Sequence, residues 1–125
     1  MTDRPSITMR TINLDCSDAH AMAAFYGRLL GWEPTFSEPG WVLMRGPNGG
    51  VGLSFQAEPD FVPPVWPQTS DAQRMMMHLD IKVDDLLAAT AYALEVGGRL
   101  ADFEPRDDLR VLLDPSGHPL CLFLN

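Results

Sequence analysis

The chain predicts an α+β fold built from two tandem copies of one unit, each a strand, a helix and three further strands, and three observations carry that expectation. The first is an internal repeat. Thr-Ile-Asn-Leu-Asp-Cys-Ser-Asp at 11 to 18 returns as His-Leu-Asp-Ile-Lys-Val-Asp-Asp at 78 to 85, and the same offset carries Phe25 to Tyr92 and Gly31 to Gly98. The second is that each block runs into a helix-like segment ending in glycine. The third is that Gly46-Pro47-Asn48-Gly49 answers Asp114-Pro115-Ser116-Gly117, each followed by an apolar strand. Two copies are too few for a solenoid, so they should pack as a pseudo-symmetric pair.

Length bounds this pairing. At 125 residues the chain is one domain, and neither half is large enough to bury a useful core alone. Module one is expected over about 7–56, a linker over about 57–74 and module two over about 75–125. An apolar fraction of 46% with 21% charged residues fits a soluble globular protein, and no apolar run reaches the length of a membrane span. The opening Met-Thr-Asp-Arg-Pro is polar and has no signal-peptide pattern, so a cytoplasmic location is expected. A net charge of −8 argues against nucleic acid as a partner, because such partners demand a basic footprint.

Strand candidates come first, at about 9–16, 41–45 and 51–56 in module one and about 76–83, 110–113 and 120–124 in module two, with weaker ones near 33–37 and 99–103. After the first strand, Met22, Phe25, Tyr26, Leu29 and Leu30 recur at helical spacing; Ser17 or Asp18 can cap the start and Gly31 supplies the left-handed stop. In module two Asp84 or Asp85 takes the cap, Leu87, Ala91 and Leu94 form the stripe, and Gly97-Gly98 ends the helix. Between the modules, Pro59, Pro63, Pro64 and Pro67 exclude regular ladders, which makes this segment a crossover. Its Phe61 and Trp66 need cover, so it serves either as a lid on a pocket or as a passive strap.

Strand alternation then sorts the side chains into faces. Ile12, Leu14 and Cys16, with Leu79, Ile81 and Val83, form the apolar side that meets the helices; Leu53, Phe55, Leu120, Leu122 and Leu124 join them. The opposite face carries Thr11, Asn13, Asp15, Ser54 and Gln56 from module one and His78, Asp80, Lys82, Cys121 and Phe123 from module two. Curled inward, that face makes a cleft, with aromatic contact from Phe123, Trp41 and Trp66. The competing reading is a half-exposed sheet whose polar face is simply wet. Cys16 and Cys121 fall on opposite faces, against a disulfide between them, and their spacing matches no zinc motif.

Asp18 with Phe25-Tyr26 and Leu29-Leu30-Gly31-Trp32, the block from His78 to Asp85, and Asp114-Pro115-Ser116-Gly117-His118-Pro119-Leu120-Cys121 together resemble the vicinal oxygen chelate superfamily, in particular its glyoxalase-like and bleomycin-resistance-like small proteins. The resemblance implies paired βαβββ modules around a U-shaped cleft, commonly in a homodimer. It also implies where a metal would be held: one ligand from the first and one from the last strand of each module, usually histidine, glutamine or glutamate. Those positions here are Thr11, Ser54, His78 and Cys121. Only His78 is a usual ligand, so the standard site is not expected, and no cofactor is, a divalent metal being the alternative.

His78 and Asp80 remain weak candidates for acid/base catalysis, since imidazole titrates near neutrality. Two residues apart on a strand they are about 7 Å apart at the backbone, so contact is not assured. Cys121 reads as a small apolar residue before a nucleophile. The Asp-Pro-Ser-Gly-His-Pro turn accounts for His118, His20 is expected in solvent, and Met75-Met76-Met77 as adaptable packing. The functional expectation is a metal-free protein binding a drug or metabolite, with a cationic ligand suited to Asp15 and Asp80. The alternatives are a metal-dependent lyase, isomerase or dioxygenase, and a structural or regulatory module with no small ligand.

Overall fold

In the computed structural model, which describes residues 4–102 and 106–124, the repeat in sequence is a repeat in topology. Strand β1 (Thr11–Cys16) leads to helix α1 (Ala19–Leu30), then β2 (Pro34–Glu38), β3 (Trp41–Met44) and β4 (Gly52–Ala57). The second module repeats the order with β5 (Leu79–Lys82), α2 (Leu86–Glu95), β6 (Arg99–Leu100), β7 (Leu109–Leu113) and β8 (Pro119–Phe123). Each module forms its own four-stranded sheet, ordered β1-β4-β3-β2 and β5-β8-β7-β6. In both, the first strand lies parallel to the last and the other pairs are antiparallel. The expected curled sheet is thus two open sheets, with no ladder joining them among the described residues.

Both helices start where an aspartate can replace missing backbone acceptors. The Asp18 carboxylate accepts from the backbone N–H of His20 at 3.1 Å and of Ala21 at 3.0 Å, and Asp85 accepts from that of Ala88 at 3.0 Å. Gly31 then closes α1 at φ +71°, a conformation that glycine adopts without a Cβ penalty.

A single core joins the modules. Met22, Phe25 and Tyr26 of α1 are fully buried against Leu14, Met44 and Phe55, and the Tyr26 and Phe55 rings stack at 5.5 Å. Leu112, Leu120 and Leu122 of the second sheet belong to the same cluster. Across the join, the Tyr26 hydroxyl donates to Asp114 Oδ2 at 2.7 Å, with neither residue exposed to solvent. Asp114 Oδ1 accepts the backbone N–H groups of Ser116 and His118. Burial still pushes the Asp114 carboxyl above its ordinary range, although the Tyr26 bond and His118 pull it down.

The stripe expected on α2 is a correction. Leu87 is 80% exposed, Ala91 and Leu94 are exposed too, and it is Ala93, with Leu86, Ala89 and Val96, that meets the core. Leu-Leu-Ala-Ala-Thr-Ala-Tyr-Ala-Leu-Glu is apolar all round, and spacing alone favoured the bulkier stripe. The smaller stripe is the one that joins the core cluster, and close by a Cβ on Gly98 would stand 3.2 Å from the Phe25 ring. The Tyr92 hydroxyl, meanwhile, donates to the Arg28 carbonyl at 2.9 Å and ties α2 to the end of α1.

Some boundaries also move. β5 begins at Leu79 rather than near 76, because Met76 sits at φ +61° and breaks the extended run; Met76 and Met77 are exposed, and only Met75 is half-buried. Leu124 lies past the end of β8 and is exposed instead of facing the helices. The weak strand near 99–103 is confined to Arg99–Leu100, its last position falling outside the described residues. Among the described residues no helix is long and apolar enough to cross a membrane.

Candidate functional site

The parallel ladder between β5 and β8 sets Asp80 opposite Cys121 and Lys82 opposite Phe123, so these side chains emerge in adjacent pairs. His78 precedes β5 and reaches forward: its Nε2 is 3.1 Å from Asp80 Oδ1, so the contact that strand spacing left open is made. One donor atom each from His78, Asp80 and Cys121 can be chosen so that all lie within 4.8 Å of one another. Beside them is a cavity of about 250 Å³ lined by Asp80, Cys121, Phe123, Leu109, Arg106 and Asp108. The last two form an ion pair.

Module one presents a different surface at the equivalent places. Its ladder sets Asn13 opposite Ser54 and Asp15 opposite Gln56. The Ser54 hydroxyl donates to Asn13 Oδ1 at 2.8 Å, Asn13 Nδ2 donates to Asp15 Oδ1 at 3.0 Å, and Gln56 Nε2 donates to Glu58 at 2.6 Å. The face is a run of amides, carboxylates and a hydroxyl bonded to one another. Thr11 is half-buried at its start, and Trp41 flanks it, opposite Gln56 and packed on Phe36 with ring centres 5.7 Å apart.

A second cavity, of about 410 Å³, lies where the linker crosses the end of β1. Asp15, Glu58 and Asp60 give it carboxylates, Phe61, Val62, Met75 and Met76 give it apolar surface, and Gln73, Arg74 and His118 complete the polar part. His118 Nε2 is 2.6 Å from the Asp15 backbone carbonyl, which fixes that nitrogen as the protonated donor, and its ring is 5.6 Å from that of Phe61. Sequence reasoning assigned His118 to its turn and missed this wall. The available signal was an aromatic in the linker needing a partner.

The structure therefore divides the expected cleft. Asp80, Cys121 and Phe123 line one cavity and Asp15 the other; Lys82 lies with Asp84, Asp85 and Ala88 at a third. Trp66 is half-buried, its indole N–H enclosed without a partner. His20 is exposed as expected, yet its Nε2 reaches the Glu38 carbonyl at 2.8 Å. Cys16 is fully buried on the helix side, where burial and the nearby Asp114 push its thiol up to about 11.

A model of the glyoxalase-like domain matches residues 11–123. The chain belongs to the glyoxalase-like domain family. Its solved structural relatives include a glyoxalase-related enzyme from Fulvimarina pelagi, at 23% identity and TM-score 0.66, over 94% of this chain and 88% of that one. A bleomycin-binding protein complexed with bleomycin is 26% identical, TM-score 0.59, over 99% of both chains. A bleomycin resistance determinant encoded on the transposon Tn5 is 25% identical, TM-score 0.56, over 99% and 98%. No curated protein matches the chain. Glyoxalase and bleomycin-resistance proteins place it in the vicinal oxygen chelate superfamily.

The metal that this superfamily uses does not fit the shared position here. Thr11 and Ser54 are neutral hydroxyls, and the Ser54 oxygen, 3% exposed at residue level, is already engaged with Asn13. A site spanning both modules would draw neither an imidazole, a carboxylate nor a thiolate from module one's two positions, which leaves His78 and Cys121 alone where catalytic zinc sites keep three protein ligands.

Proposed function

We propose that this glyoxalase-like chain binds a small organic molecule carrying a positive charge, in the cavity under the linker, without a metal shared between its modules. The observation that carries this reading is the lining of that cavity. Its volume of about 410 Å³ falls within the range of ligand pockets. Three carboxylates against the single guanidinium of Arg74 favour a cation, while Phe61, Met75 and Met76 offer its apolar body a surface. The linker acts as a wall of the pocket rather than as a strap. Binding in place of metal-dependent lyase, isomerase or dioxygenase chemistry is favoured by the hydroxyls of Thr11 and Ser54, and it agrees with the two bleomycin-related neighbours at 25% and 26% identity. The protein works as a homodimer in this reading, for which the exposed Leu87, Ala91 and Leu94 provide an apolar surface.

A thermal-shift screen of metal-free bleomycin and hydrophobic amines in the presence of EDTA tests the proposal. A ligand at a hundred times its Kd adds about 2.7 kcal/mol to native stability. The shift should survive EDTA, disappear in Phe61→Ala and weaken in Asp60→Asn. A shift that EDTA removes and a divalent metal restores would refute the metal-free reading, and one unaffected by both substitutions would refute the cavity.

A further inference from the structure

We propose that module two by itself holds a site for a thiophilic divalent cation of the zinc or cobalt(II) type, with His78, Asp80 and Cys121 as its three protein ligands. The site reuses His78 and Cys121, two of the four positions the superfamily shares between modules, but takes its third ligand, Asp80, from outside them and nothing from module one. His78 has a carboxylate two residues along the same face and a thiol across the ladder.

The backbone prepares the geometry. The parallel register holds Asp80 directly opposite Cys121, and the break at Met76 starts the strand so that His78 shares their face. Around a tetrahedral zinc, with metal–nitrogen and metal–oxygen bonds of about 2.0–2.2 Å and metal–sulfur bonds of about 2.3 Å, ligand atoms stand roughly 3.3–3.6 Å apart. The His78–Asp80 separation is 3.1 Å and no pair in the trio exceeds 4.8 Å, a gap that side-chain rotation can close. A neutral imidazole, a carboxylate and a thiolate offset the two positive charges of the ion. This nitrogen, oxygen and sulfur set selects zinc or cobalt over magnesium and calcium, which require oxygen cages. Three protein ligands leave a fourth position, and the cavity of about 250 Å³ beside Asp80 and Cys121 gives it access to water or a small ligand. Metal binding converts the Cys121 thiol to thiolate and releases its proton to solvent; no redox change takes place.

None of these three residues lines the cavity under the linker, so the site stands or falls separately from the proposed function. The test is a titration of the whole chain, freed of any purification tag, with Co²⁺. One ion should bind per chain, with thiolate-to-cobalt charge-transfer absorption and release of a proton, and Zn²⁺ but not Mg²⁺ should displace it. Cys121→Ser should abolish the charge-transfer band, and His78→Ala and Asp80→Asn should each weaken binding about tenfold or more. Thr11→Ala should leave the titration unchanged. As a measurement on the unaltered chain, Zn²⁺ should protect Cys121 from alkylation. A band that persists in Cys121→Ser, a loss in Thr11→Ala, sub-stoichiometric Co²⁺ binding, or alkylation of Cys121 unaffected by Zn²⁺ would each overturn the proposal.

Discussion

Replacing Tyr26 by phenylalanine isolates a hydrogen bond that ties the two modules together in their core. The hydroxyl donates to Asp114 Oδ2 at 2.7 Å, both residues are fully buried, and the other carboxylate oxygen keeps the Ser116 and His118 amides. The variant thus leaves Oδ2 without its donor while removing no carbon from the core. A hydrogen bond to a charged group contributes about 1.5–3 kcal/mol, so a loss of about 2 kcal/mol near neutral pH is expected. For a domain of this length each kcal/mol moves Tm by about 3–5 °C, giving a fall of about 6–10 °C. The pH dependence carries the sharper signature. Burial raises the Asp114 carboxyl, so its contribution to stability is full below the unfolded carboxylate range and is lost as pH rises through the folded value. Tyr26 holds that value down; without it the folded value rises further and the loss at neutral pH deepens. Urea denaturation of both proteins at about pH 5 and about pH 7.5 should show the larger deficit at the higher pH. A deficit below about 0.5 kcal/mol at both pH values would show that the buried carboxylate does not depend on Tyr26.

Gly52→Ala places a Cβ 2.2 Å from the Met44 carbonyl and 3.0 Å from the Arg45 Cα, both backbone atoms, so chemical denaturation should show a loss at or above the upper end of the overpacking range of about 1–3 kcal/mol. Cys16, fully buried and with its thiol pushed up to about 11, should resist a thiol reagent at mildly alkaline pH until the protein unfolds; labelling of Cys16 in the native protein, located by mass mapping, would contradict that burial. On α2, Ala93→Leu should cost about 1–3 kcal/mol because it forces volume into the core, whereas Leu87→Gln should change monomer stability by less than about 0.5 kcal/mol. If Leu87 is covered in a homodimer, the same Leu87→Gln substitution should raise the dimer dissociation constant measured by sedimentation.

Most of the frame was legible because repetition and periodicity report backbone geometry directly. Asp18 and Asp85 cap helices, Gly31 takes the left-handed turn, and the inward faces of β1 and β8 alternate as read. Periodicity failed on α2, where a helix apolar all round offers several stripes and the choice belongs to the core it shares with the other module. The site was legible by face but not by neighbourhood. Alternation put His78, Asp80 and Cys121 on one side, yet their proximity depends on the start of β5 and on the register of β5 with β8, which no local pattern encodes. His118 escaped for the same reason, since its partners Asp15 and Phe61 are remote in sequence.

The divergence between the two polar faces has a physical reading of its own. His78, Asp80, Asn13 and Asp15 are exposed, and exposed positions change stability by only about 0.5 kcal/mol when substituted. Folding therefore does little to dictate what stands there. Ser54 is the exception: it is buried, and its bond to Asn13 satisfies a hydroxyl that would otherwise be stranded inside the sheet. Module one thus spends its polar groups on one another, while module two directs an imidazole, a carboxylate and a thiol toward a common point beside a cavity. Like-for-like packing cannot explain that contrast, because the two sheets have the same strand order. The asymmetry is chemical, and it lies on the faces that the core leaves free.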